Sequence, residues 1–148
     1  MTTTTTTGGR FNNAGDAAAA ILAGNATITL VSGKTGARYT YKIRKAERGT
    51  SWFVNLLTGP SNEADFAYIG LIGATGEFRL TKASKLPADS APVRGFGWTL
   101  ARLAKNEIPE QLEVWHEGRC CRCGRKLTVP ESIATGLGPE CAKAAGAL

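Results

Sequence analysis

All four cysteines of the chain and its single histidine fall between His116 and Cys141, and this clustering constrains the fold more than any other feature. The run is His116-Glu-Gly-Arg-Cys120-Cys121-Arg122-Cys123-Gly124-Arg125, followed by Gly136-Leu-Gly138-Pro139-Glu140-Cys141. A Cys-x-x-Cys-Gly turn suits a zinc knuckle, in which two sulfurs grip one ion from a tight turn. A glycine straight after the second Cys lets backbone N–H groups face the thiolates with no Cβ in the way. Gly138 to Gly146 reads as a turn, a proline near the first helical position and an Ala-rich helix. Cys141 then falls in the first helical turn, where unpaired N–H groups and the helix dipole favour the thiolate that binds metal. Cys120, Cys123 and Cys141 give three ligands for a structural Zn2+, and a tetrahedral site needs four. His116 is the expected fourth, because the irregular chain before Cys120 can fold its imidazole back onto the ion. Cys121, Glu140 or a water are the alternatives, with Cys121 disfavoured because adjacent residues point in different directions.

A pair of disulfides in a secreted protein is the competing explanation for an even number of cysteines. It requires an export signal. The apolar stretch Ala17–Ala23 follows Asp16, has one early cation in Arg10, and is short for a membrane span, so it reads as a helix. A reducing cytoplasm and a metal site are the expectation, with no membrane partner.

The string from Gly118 to Cys141 resembles a small, functionally uncharacterised Cys-rich domain of actinobacterial phage, plasmid and host proteins. The Cys-x-x-Cys-Gly-Arg turn, Pro-x-Ser and Gly-x-Gly-Pro-x-Cys elements occur in order and carry the resemblance. It covers about the last fifth of the chain and implies a zinc-ribbon or zinc-knuckle module in a phage or bacterial setting. A glycine commonly occupies the place of Cys121 in that pattern, which implies a spare thiol here. No activity follows from it.

The rest of the chain reads as α+β. Residues 1–12 are expected to be a flexible Thr-rich tail, 13–110 an α+β domain, and 111–148 the zinc-binding module. Asn12 or Asn13 can cap a helix through Asp16 and Leu22 that stops at Gly24. Thr27–Val31 and Ala37–Lys45 alternate around a Ser32–Gly36 turn, which predicts a hairpin. Strands are expected at Trp52–Leu57, Phe66–Ile72 and Glu77–Thr81. No crossover helix separates them, so the sheet should be an antiparallel β-meander. Ser90-Ala-Pro92 opens a second helix whose Val93, Phe96, Leu100 and Leu103 form one apolar stripe. Leu112–Trp115 is expected as a short strand leading into the metal module, and the three tryptophans as core or domain-contact residues.

The net charge is +6, and most of the excess lies in one segment. From Lys34 to Arg48 six cations, Lys34, Arg38, Lys42, Arg44, Lys45 and Arg48, face one anion, Glu47. Strand periodicity puts Arg38, Lys42 and Arg44 on one face, and Tyr39, Tyr41 and Ile43 on the other, the core side. Arg119, Arg122, Arg125 and Lys126 cluster around the knuckle. Two such basic patches suit a reader of the phosphate backbone, DNA or RNA, with low sequence specificity through Arg38, Lys42, Arg44, Arg122 and Arg125. The same cations could instead be a solvated sheet face, or meet an acidic host or phage protein on which this chain docks as inhibitor or adaptor. Ser32-Gly-Lys-Thr-Gly36 lacks the upstream glycine of a P-loop and leads into a strand, so it is a turn. With the histidine assigned to zinc and no paired-carboxylate motif, the chain is expected not to be an enzyme.

Overall fold

The alternating segments pair into one sheet in the computed structural model, which describes residues 9–59, 65–124, 127, 133 and 135–137. The elements are β1 (Gly9–Arg10), α1 (Ala14–Ile21), β2 (Asn25–Ser32), β3 (Arg38–Lys45), β4 (Trp52–Leu57), β5 (Phe66–Ile72), β6 (Phe78–Arg79), α2 (Ala91–Ala104) and β7 (Leu112–His116). All pairings are antiparallel, in the order β1-β7-β2-β3-β4-β5-β6. The fold is therefore α+β. The expected meander holds from β2 to β6, although its last strand is only two residues long. After α2 the chain returns to pair β7 with β2, and β1 adds to the far side of β7.

Period-two alternation decides which face is covered. Ile28 pairs with both Tyr41 and His116, Ile43 with Ala26 and Val54, and Leu30 with Val114, and all of these are buried. Both helices lie on that face. α1 starts at Asn13, whose side-chain oxygen accepts the Asp16 N–H at 2.8 Å, and it buries Ala14, Ala17, Ala20 and Ile21. Three alanines let its backbone approach the sheet closely, and Trp52 Nε1 donates to the Leu22 carbonyl at the helix end at 3.1 Å. α2 has Pro92 in its first turn and buries Val93, Phe96, Thr99 and Leu103. Leu100, expected in the same stripe, is half-buried against the core.

Tyr41 ties sheet to helix. It is fully buried, lies 4.8 Å from the Phe96 ring between centroids, and donates its hydroxyl to the Pro92 carbonyl at 2.6 Å. Burial, with a smaller contribution from the neighbouring Tyr39, holds its phenol well above its usual range. In the unfolded chain the phenol loses its proton near pH ~10, whereas the folded form keeps it, so the unfolded state binds fewer protons and stability falls as pH rises. Urea titrations from pH ~8 to ~11 should show this alkaline loss of stability. Tyr41→Phe should flatten it, at a cost of about 1 kcal/mol at neutral pH for the hydrogen bond. An alkaline profile unchanged in Tyr41→Phe would contradict the assignment.

Candidate nucleic-acid interface and cysteine turn

The face of the sheet opposite the helices carries the expected cations. Arg38 and Arg44 are exposed and Lys42 is half-buried. Cross-strand register places Arg44 in a row with Phe53, Leu71 and Arg79, and Lys42 in the next row with Thr27, Asn55 and Tyr68. Lys42 Nζ rests 5.2 Å from the centre of the Phe66 ring, and Phe53 meets Tyr68 edge to face at 6.1 Å. Phe53 is 43% exposed. Strands β2 to β5 contain no Asp or Glu at all. Among the described residues, neither ion pair involves Arg38, Lys42 or Arg44. The face therefore combines cations that make no described ion pair with aromatic rings, and its one acid on β7, Glu113, lies in the Arg38 row two strands away.

The rings are the part that sequence reasoning missed. Tyr39 and Tyr41 do face the core, and Trp52 is buried as expected. Trp115, expected in the core or a domain contact, is half-buried on the cationic face, opposite Thr29 on β2 and Arg10 on β1. Trp98 is 39% exposed on α2 with Arg102 stacked 5.5 Å over its ring. Phe53 alternates with Trp52 and Val54, so period-two counting alone could have placed it beside the cations, whereas an irregularity in β5 between Tyr68 and Gly70 breaks the count that would place Phe66 and Tyr68.

At the β2 end of this face sits the cysteine turn. The Cys120 sulfur accepts backbone N–H groups from Arg122 at 3.4 Å and Cys123 at 3.5 Å, and Gly124 N–H donates to the Cys120 carbonyl at 2.9 Å. Gly124 has φ +81°, a left-handed conformation that costs a side-chain-bearing residue energy. Two N–H groups converging on one sulfur favour its thiolate form. The turn is docked by its neighbour: Cys121 donates its N–H to the Gly136 carbonyl at 2.8 Å and accepts from Asn25 N–H at 2.7 Å. Asn25 pairs with Arg44, so the turn adjoins the cation-bearing strand. Arg122 is exposed in this turn; Arg125 lies outside the described residues.

The remaining expected ligands are placed differently. Cys123 is exposed, while Cys141 and Glu140 lie outside the described residues. Cys121 is buried in the core, and burial, reinforced by Cys120 and Glu117, pushes its thiol up to about 12. It is a neutral core side chain at physiological pH. His116 is 3% exposed, with Nδ1 accepting the Gly118 N–H at 2.9 Å and Nε2 donating to the Ile133 carbonyl at 2.5 Å. Burial holds its pKa below the usual histidine value, against the opposing pull of the Ile133 carbonyl. Phe11 packs edge-on against the imidazole at 5.3 Å, and a Cβ on Gly9 would come within 2.7 Å of Nε2. Among the described residues no three His, Cys, Asp or Glu side chains are gathered for a metal, so His116, Cys120 and Cys123 are not brought together. The alternation that buries Leu112 and Val114 also buries His116, a signal present in the sequence.

A cavity of about 530 Å³ lies between the β2–β3 hairpin and α2, lined among others by Tyr39, Tyr41, Trp98, Arg94 and Lys34. Its lining contains no carboxylate, imidazole or thiol for acid–base or nucleophilic work. Among the described residues no helix is long and apolar enough to cross a membrane.

Fold and site together define an α+β protein with an open cationic sheet face, on which Glu113 of β7 stands beside Trp115, and a Cys-x-x-Cys turn at its edge. Residues 112–146 of the chain match a family of unknown function (DUF6011), a segment that begins at β7 and contains every cysteine. No curated protein and no solved structure matches the chain.

Proposed function

We propose that this chain is a small basic accessory protein that binds nucleic acid through its backbone phosphates, with a structural zinc held by the cysteine turn. The observation that carries the reading is the cationic face: Arg38, Lys42 and Arg44 stand on a sheet whose strands β2 to β5 hold no acid, and the cysteine turn with Arg122 adjoins them at Asn25. Phosphates pairing with these side chains would displace condensed counterions, which makes binding salt-sensitive and nearly independent of sequence. The metal would fix the turn that carries Arg122 and would take no part in contacting the ligand. Cys120, Cys123 and Cys141 would hold it, with Glu140 or a water in the fourth position, since both His116 nitrogens have backbone partners. The resemblance of the C-terminal segment to Cys-rich domains of phages and plasmids supports a mobile-element setting in a bacterial cytoplasm.

Fluorescence anisotropy of labelled oligonucleotides across a salt series tests this. Arg38→Gln, Lys42→Gln and Arg44→Gln should each weaken binding to unrelated sequences about equally and lower the salt slope by roughly one unit. The fold should survive, because these side chains are off the core. Absence of binding at low salt by the zinc-loaded protein would sink the reading. The docking alternative, in which exposed Trp98 and its stacked Arg102 meet a host or phage protein, would then lead.

A further inference from the structure

Phosphate contacts do not explain why aromatic rings share a surface with the cations. Apolar area left exposed costs free energy unless a ligand covers it. On this face Phe53 is 43% exposed, yet it lies in the same cross-strand row as Arg44. In the next row Tyr68 lies two strands from Lys42, and Phe66 lies under the Lys42 ammonium. The Phe53–Tyr68 contact is edge to face, with ring planes at 70°, which leaves at least one face of each ring outside the pair. Cations therefore line β3, while rings line β4 and β5 at one and two strand spacings, about 5 and 10 Å.

Resting on the phosphate-binding reading above, we infer that this open face is a platform for single-stranded nucleic acid: the backbone follows β3 and unstacked bases lie on Phe53 and Tyr68. A duplex keeps its bases paired and stacked inside and presents phosphates and groove edges outward, so it has no base face to offer a ring on a sheet. A single strand does, and every base has such a face, so stacking of this kind is sequence-tolerant. Aromatic side chains on a sheet face are one established way to hold unpaired bases. Strands β2 to β5 hold no acid, which fits a polyanion along β3; Glu113 on β7 lies two strands from Arg38 and accepts a hydrogen bond from Trp115. A merely acidic partner would meet the cations without needing the rings.

The test uses the full zinc-loaded chain with a labelled oligothymidylate, a mixed-sequence duplex of equal length, and polyglutamate as competitor. The single strand should bind at least about tenfold more tightly than the duplex at matched salt. Phe53→Ala should weaken single-strand binding on the order of 5- to 100-fold with the salt slope unchanged, and Phe53→Trp should restore it. Arg44→Gln should instead lower the slope for both ligands. Because Phe53 is exposed, its variants should unfold at the wild-type denaturant midpoint, and Tyr68→Ala is a second probe of the same surface. Equal affinity for duplex and single strand, with Phe53→Ala neutral, overturns the platform and leaves phosphate binding standing. Polyglutamate displacing the strand at equal charge concentration also overturns it. No binding of either oligonucleotide overturns both readings.

Discussion

Phe96→Ala should lower the unfolding free energy by about 3–5 kcal/mol, the range for emptying a buried phenylalanine site. Phe96 is 1% exposed and lies at the junction of helix and sheet, 4.8 Å from the Tyr41 ring and 5.0 Å from the Phe78 ring. Its loss removes transfer free energy and two aromatic contacts, each worth about 0.5–1.5 kcal/mol beyond area alone. The surroundings can relax little, because Tyr41 is held by its hydrogen bond to Pro92 and by pairing on both sides of β3. Leu100→Ala, half-buried on the same helix, should cost less, and Trp98→Ala, exposed on it, least. Urea unfolding followed by circular dichroism would rank the three. A Phe96→Ala midpoint equal to wild type would mean that α2 does not pack where it is described.

That packing was legible in the sequence because it follows from local periodicity. Asn13 as a helix cap, the β3 alternation that puts Tyr41 and Ile43 inside with Arg44 outside, and the Val93–Phe96–Leu103 stripe are each decided within one element. The bounds of β4 and β5 were read correctly for the same reason. What could not be read depends on pairing between distant segments. Nothing in Leu112–His116 says that it pairs with Asn25–Ser32, yet that register puts Trp115 on the cationic face and His116 against the core. Nor does a Thr-rich start announce that Gly9 and Arg10 extend the sheet past β7. The close approach of Gly9 to His116 explains why a glycine is needed there, and it is visible only once the strands are paired. The cations of the candidate surface were found because charge is a local property. Of their aromatic neighbours, Phe53 is separated from Val54 by alternation in β4, but Phe66 and Tyr68 are not separable that way, because the register shift between β4 and β5 puts them on the face opposite Ile72 and shows only once the strands are paired.

Removing the proposed zinc should disturb more of the molecule than the segment that holds it. Cys120, Cys121, Leu127 and Leu137 belong to the same buried cluster as Ile28, Tyr41 and Val114, and Cys121 backbone bonds join Asn25 to Gly136. If the metal fixes the Cys120 turn, chelation releases that turn and opens the end of the core beneath it, so the melting temperature of the whole chain should fall. Structural zinc sites are worth on the order of 10–16 kcal/mol in isolated peptides, of which only the part coupled to folding appears here. Metal analysis of freshly purified, reduced protein should find one zinc per chain, and Cys123→Ser or Cys141→Ala should lose it. Cys121→Ser should keep the metal while lowering stability, because it puts a hydroxyl where a neutral thiol is buried. His116→Ala separates ligand from core residue. With both ring nitrogens bonded to backbone, it should retain the zinc, leave the Gly118 N–H and Ile133 carbonyl without their partner, and destabilise the fold by about 2–5 kcal/mol. Loss of the metal in His116→Ala would instead put the imidazole on the ion and require β7 to present it differently. Zinc-free protein with an unchanged melting temperature would remove the metal from the account of the fold altogether.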